Sequence, residues 1–134
     1  MSFNAYLFFG RTCREAFTFY RDVFGGELDL VTAADMTGVP PEVDPAAIMH
    51  ASLTTPDGQL VGSDDPFADP FGPVSGMRVC ATLPDADAAR AAFDALADGG
   101  EVHQPFAATE WSAGFGMLAD RFGTPWMIDT ARGA

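Results

Sequence analysis

The chain has 134 residues, enough for one compact domain or two very small ones, and 48% of them are hydrophobic, which is sufficient for a core. Seven basic residues stand against 19 acidic ones, a net charge of -12, and this argues against nucleic acid as a partner because phosphate backbones need clustered Lys and Arg. Lysine is absent, which excludes Schiff-base chemistry by a side-chain amine and any P-loop lysine.

The N-terminal "MSFNAYLFFGR" has no basic region ahead of an apolar one, and no apolar run is long enough to span a bilayer. A cytoplasmic chain without a membrane partner is therefore expected. Within that segment "NAYLFF" is short, apolar and aromatic, and reads as a strand. In "RTCREAFTFYRDVF" the residues Cys13, Ala16, Phe17, Phe19, Tyr20, Val23 and Phe24 recur every three or four positions, which predicts an amphipathic helix ended by Gly25-Gly26. "ELDLVTA" follows as a strand, and "DMTGVPPEVDPAA" as a loop. "IMHASLTT" and "QLVGSD", joined by Pro56-Asp57-Gly58, predict a β-hairpin. "DPFADPFGPVSG" is expected to be a flexible connection.

The order then begins again. "MRVCATL" reads as a strand, "DADAARAAFDALAD" as an alanine-rich helix capped by Asp85 or Asp87, and "EVHQPF" as a strand after Gly99-Gly100. "ATEWSAG" is a loop, "FGMLAD" a strand, and "TPWMID" a last strand after the Arg121-Phe122-Gly123 turn. An offset of 74 carries Gly25-Gly26 to Gly99-Gly100, Phe9 to Leu83, Phe19 to Phe93 and Glu27 to Glu101. An offset of 65 carries Gly58 to Gly123 and Asp64 to Asp129. The expected fold is thus α+β: one domain over 1–134 made of two tandem βαβββ units, about 1–66 and 76–134.

This organisation, with "YLFFGRTCREAFTFYRDVFGGEL", "IMHASL", "LVGSD" and "FGMLADRFGTPWMID", resembles the vicinal oxygen chelate superfamily of glyoxalases, bleomycin-resistance proteins and extradiol dioxygenases, and within it the PhnB-like branch. The resemblance implies curved mixed sheets around a cavity, helices on the outside, and a homodimer. In metal-dependent members, four strand positions facing the cavity supply His, Gln or Glu ligands. Carried over, these fall near Asn4 and Arg78 in the first strands and near Gly62 and Met127 in the last. Such residues suit no divalent ion of the zinc, nickel, iron or manganese type: glycine has no donor, thioether prefers soft copper, and Arg78 would repel a cation. No metal and no other cofactor is therefore expected.

Arg78, if it faces the cavity, would favour an anionic ligand; the other reading pairs it with one of the many surface acids. Tyr6 and Phe8, two and four residues after Asn4, would line the same face with aromatic surface. His50 either faces the cavity as base or ligand, or bonds across the sheet. His103 is expected in a surface or structural role. Asp64 ends "LVGSD" and Asp65 follows it, and Glu110 and Trp111 form a pair at the cavity mouth or else anchor their loop. Cys13 and Cys80 read as two reduced thiols. The ligand-binding candidates are thus Tyr6, Phe8, His50, Asp64, Arg78, Glu110, Trp111 and Met127. They predict a protein that binds a small molecule, anionic where Arg78 faces the cavity, without a catalytic metal. The alternative is a metal-dependent glyoxalase-like lyase or dioxygenase-like enzyme with relocated ligands drawn from His50, Asp64 and Glu110.

Overall fold

The computed structural model describes residues 1–65 and 74–131. The chain divides into two compact units, Met1–Gly72 and Pro73–Ala134. Most of the expected connection "DPFADPFGPVSG" lies outside the described residues.

In the first unit, strand β1 (Tyr6–Phe9) leads into helix α1 (Cys13–Phe24), followed by β2 (Glu27–Thr32), a 3-10 turn (Ala33–Asp35), β3 (Ile48–Thr55) and β4 (Gly58–Asp64). The second unit repeats the order: β5 (Val79–Leu83), α2 (Ala86–Ala97), β6 (Glu101–Ala107), β7 (Phe115–Ala119) and β8 (Pro125–Thr130). Each unit is a four-stranded mixed sheet, in the orders β1-β4-β3-β2 and β5-β8-β7-β6. The first strand of each lies parallel to the last, and the other neighbours are antiparallel. The α+β class and the two βαβββ units expected from the sequence are present.

Each helix packs on one face of its own sheet, and the core lies between them. The buried residues of α1 are Cys13, Ala16, Phe17 and Tyr20, and those of α2 are Ala89, Ala92, Phe93 and Leu96. Both sets step by three, one and three, so the helical faces correspond at an offset of 76. Phe93 is thus the counterpart of Phe17, not of Phe19 as the offset of 74 had it. Strand alternation supplies the other half of the core: Ala51 and Leu53 in the first unit, Leu118, Trp126 and Ile128 in the second. Their neighbours His50, Ser52 and Met127 are less buried and turn to the opposite face.

The caps differ between the units. Asp85 begins α2 locally, its carboxylate accepting from the Ala88 amide at 2.8 Å. Thr12 at the start of α1 makes no such side-chain bond. There the amide of Cys13 donates instead to Asp64 at the far end of β4, at 3.0 Å. The last strand also differs in register from expectation. Four residues lie between the antiparallel partners that follow β3's inward pair, Thr54 and Gln59, and five between Ala119 and Pro125. The second turn is one residue longer, so β8 corresponds to β4 at an offset of 66, not 65.

No helix among the described residues is long and apolar enough to cross a membrane.

Candidate functional site

On the sheet face opposite α1, the first unit gathers Tyr6, Phe8 and His50. The Tyr6 and Phe8 rings lie 5.0 Å apart, and those of Tyr6 and His50 5.9 Å apart. The Tyr6 hydroxyl is 3.3 Å from His50 Nδ1, a bond across the sheet of the kind expected for a strand histidine. Tyr6 and Phe8 remain exposed.

Asp64, placed among the ligand-binding candidates, stands on the other side of this sheet. It is 5% exposed, and its two oxygens accept from the amides of Cys13 and Ile48 at 3.0 and 2.9 Å. The carboxylate thereby satisfies donors at the start of α1 and of β3, where a negative charge also suits the helix N-terminus. His50 and Asp64 point away from one another, so the relocated metal set of His50, Asp64 and Glu110 is not assembled. Among the described residues no group of three or more His, Cys, Asp or Glu is arranged to hold a metal.

Gly62 is a second correction. Tyr6 pairs with Val61 and Cys80 with Met127, and Tyr6 and Cys80 are related by the offset of 74. Val61 is therefore the counterpart of Met127. Gly62 faces α1, where an added Cβ would lie 2.9 Å from the Phe17 ring. One residue of slip in a strand inverts the face, which is the whole difference here.

In the second unit an open cavity of about 530 Å³ is lined by Arg78, Cys80, His103, Met117 and Met127, with Met77 among the neighbouring lining residues. Arg78, one residue before β5, reaches over the sheet. Its Nη1 donates to the carbonyls of Leu118 on β7 and Trp126 on β8, at 3.2 and 3.3 Å. Its Nη2 lies 2.7 Å from His103 Nδ1 on β6. A guanidinium can only donate, so His103 Nδ1 must accept, and the ring proton is assigned to Nε2. No carboxylate among the described residues lies within ion-pair distance of Arg78. Among the described residues Arg78 is therefore held by carbonyls and an imidazole and not by a surface acid. Among the described residues three of its five N–H groups are used, leaving the Nε hydrogen and one on Nη2.

Cys80, His103 and Met117 are absent from the candidates drawn from the sequence, and His103 was assigned to a surface or structural role. Cys80 was legible, since it stands two residues after Arg78 and so shares its face. His103 was not: it sits where the β6–β7 register shifts between Val102 and Gln104, and alternation fails at a bulge. Glu110 and Trp111 occupy an exposed loop. Trp111 is 63% exposed and touches Phe115 edge-on at 5.8 Å between centroids. Their loop is anchored by Ser112, whose hydroxyl is within hydrogen-bond reach of Gly114 O and Asp129 Oδ1, and by Thr109, whose Oγ1 accepts from the amides of Trp111 and Ser112.

Residues 2–128 match the model of the Glyoxalase/Bleomycin resistance protein/Dioxygenase superfamily. The chain belongs to this superfamily. Protein YjdN of Escherichia coli is 27% identical to it, over 98% of this chain and 97% of its own. The crystal structure of protein PA1353 from Pseudomonas aeruginosa is 34% identical, with a TM-score of 0.88 over 97% of each chain. The PhnB protein of Bacillus cereus, at 22% identity, shares the fold with a TM-score of 0.79 over 98% of this chain and 100% of its own.

Metal-dependent glyoxalase-superfamily proteins set a test for these residues. At the four positions carried over from them, two on the last strands and two just ahead of the first strands, this chain has Val61 and Met127, and Asn4 and Arg78. None is an imidazole, carboxylate or thiolate, and one is a fixed cation. A hard or borderline divalent ion does not fit that set.

Proposed function

We propose that this chain is a PhnB-like, glyoxalase/bleomycin-resistance-type protein that binds a small anionic molecule in the cavity of its second unit, without the divalent ion of its metal-dependent relatives. The supporting observation is Arg78. Its guanidinium is held over the sheet by two backbone carbonyls and a neutral imidazole, none of which cancels its charge. The donors left on adjacent nitrogens suit a carboxylate or phosphate, which accepts two parallel N–H bonds. Met117 and Met127 supply an adaptable apolar wall beside that charge.

Titration calorimetry with benzoate, benzamide and inorganic phosphate tests this reading. Benzoate is expected to bind about tenfold more tightly than benzamide, the worth of one charge-assisted contact. Arg78→Ala should abolish that preference while Arg78→Lys keeps part of it. An unchanged ratio in Arg78→Ala would overturn the anion assignment. Stoichiometric nickel, zinc, iron or manganese in the purified protein would overturn the metal-free part.

A further inference from the structure

The same cavity carries a second chemistry that does not depend on the anion. Cys80 on β5 is the register partner of Met127 on β8, and Met127 is the register partner of Met117 on β7. Laterally opposite residues project to one face, and adjacent strands lie about 4.8 Å apart. Three sulfur-bearing side chains therefore form a row across three hydrogen-bonded strands, and all three line the cavity. The Met77 side chain and the imidazole of His103 line it as well. Cys80 is exposed and free, unlike Cys13, which is buried.

We propose that Cys80, Met127 and Met117 form a binding site for a soft monovalent cation, copper(I) in class, with silver(I) as its redox-inert analogue. Thiolate binds zinc as well as copper(I), but two thioethers beside it favour copper(I) over zinc, nickel or manganese. Binding replaces a proton: the Cys80 Sγ–H bond breaks, the proton leaves to solvent, and the Sγ electron pair forms the bond to the ion. Thiol is exchanged for a thiolate-bound monovalent cation, so the cavity gains no net charge. Arg78 therefore does not oppose this ion. A divalent ion in the same place would leave one positive charge beside the guanidinium, and Coulomb repulsion selects against it. Because a proton is released, binding weakens as pH falls.

Methionines can equally serve as plain apolar filling, and the test separates the two roles. Leucine keeps the volume of methionine and removes the sulfur. The reduced, anaerobic protein is titrated with copper(I) against the chromophoric chelator bicinchoninate, and with silver(I) under native mass spectrometry. One ion per chain is expected, with affinity falling at least tenfold in Met117→Leu/Met127→Leu and in Cys80→Ser. The Leu double variant should keep a cooperative thermal unfolding transition, which shows that it is folded, and Arg78→Ala should retain copper(I). Failure of the wild-type protein to compete with the chelator would overturn the proposal. So would a Leu double variant that binds copper(I) as tightly as wild type, since Cys80 would then act as an ordinary thiol. Loss of benzoate binding in Arg78→Ala leaves the copper result untouched, so either proposal can fail without the other.

Discussion

Cys13 and Cys80 are one chemical group in opposite surroundings. Cys80 is exposed on the cavity side of its sheet, whereas Cys13 is sealed at the first turn of α1. Burial, reinforced by the charges of Asp64 and Glu15 and opposed by Arg14, pushes the Cys13 thiol from an ordinary 9.0 up to about 12. The consequence for stability has a definite sign. Below about pH 9 both folded and unfolded chains hold this proton, and the group is neutral to stability's pH dependence. Between about 9 and 12 the unfolded chain loses the proton while the folded chain keeps it, so stability falls as pH rises. Urea unfolding at stepped pH should show this alkaline decline, and Cys13→Ala should make it shallower. Carboxylates show the same contrast of settings. Asp64 and Asp120 are buried and spent on the fold: Asp120 accepts from the amides of Phe122 and Thr124 and from Trp126 Nε1. The conspicuous phrase "DRFGTPW" is therefore a turn organised by its own first aspartate. Nothing in residue type marks these two acids among 19, because their role is fixed by backbone donors that only the folded chain brings near.

At the scale of elements, the two units meet the same packing demand in different places. Phe17 of α1 stands over Gly62, and Phe93 of α2 over Gly116, where an added Cβ would lie 2.9 and 2.6 Å from the ring. Both glycines belong to matching cross-strand pairs, Ala51 with Gly62 and Gly116 with Ile128. The small residue under the ring is on the last strand in one unit and on the third in the other. Gly62→Ala and Gly116→Ala should each destabilise by about 1–3 kcal/mol through overpacking. Rescue should differ. At Gly62 the nearest atom is the Leu7 carbonyl oxygen, at 2.5 Å, so Phe17→Leu relieves only part of the cost. At Gly116 the two nearest atoms belong to the Phe93 ring, so Phe93→Leu relieves more, as thermal unfolding of the four single and double variants would measure. The helices, hairpins and the Asp85 cap were legible because they rest on local periodicity and turn chemistry. Pairing Phe19 with Phe93, or Gly62 with Met127, failed because the glycines used as rulers mark turns and helix ends and not the faces of the elements. Each turn or helix end can absorb a residue that a fixed offset cannot see.

For the whole molecule, the net charge of -12 surrounds a cavity whose proposed contact is a single guanidinium. An approaching anion meets long-range repulsion first and Arg78 only at contact. Raising ionic strength from about 0.01 M to 0.15 M shortens the reach of that field from about 30 to 8 Å. Benzoate should consequently associate faster in the higher salt, as NMR line shapes would report, whereas a cavity dominated by its local cation would give the opposite slope. The repeated plan of the chain was legible over its full length, and the superfamily model matches 2–128. The site was legible only in part: alternation from Arg78 reaches Cys80, but the bulge at His103 and the pairing of Met117 with Met127 need the sheet itself.

The relocated glycine has a last consequence. A chain assembled by copying one half twice would be internally consistent, because each helix would keep the sheet its aromatic ring was fitted to. Exchanging α1 for α2 would not: the ring from either helix would find a side chain where its own sheet leaves a gap. The halves are duplicates in plan but keyed apart in detail, so as spare parts they can be traded whole and not piecemeal.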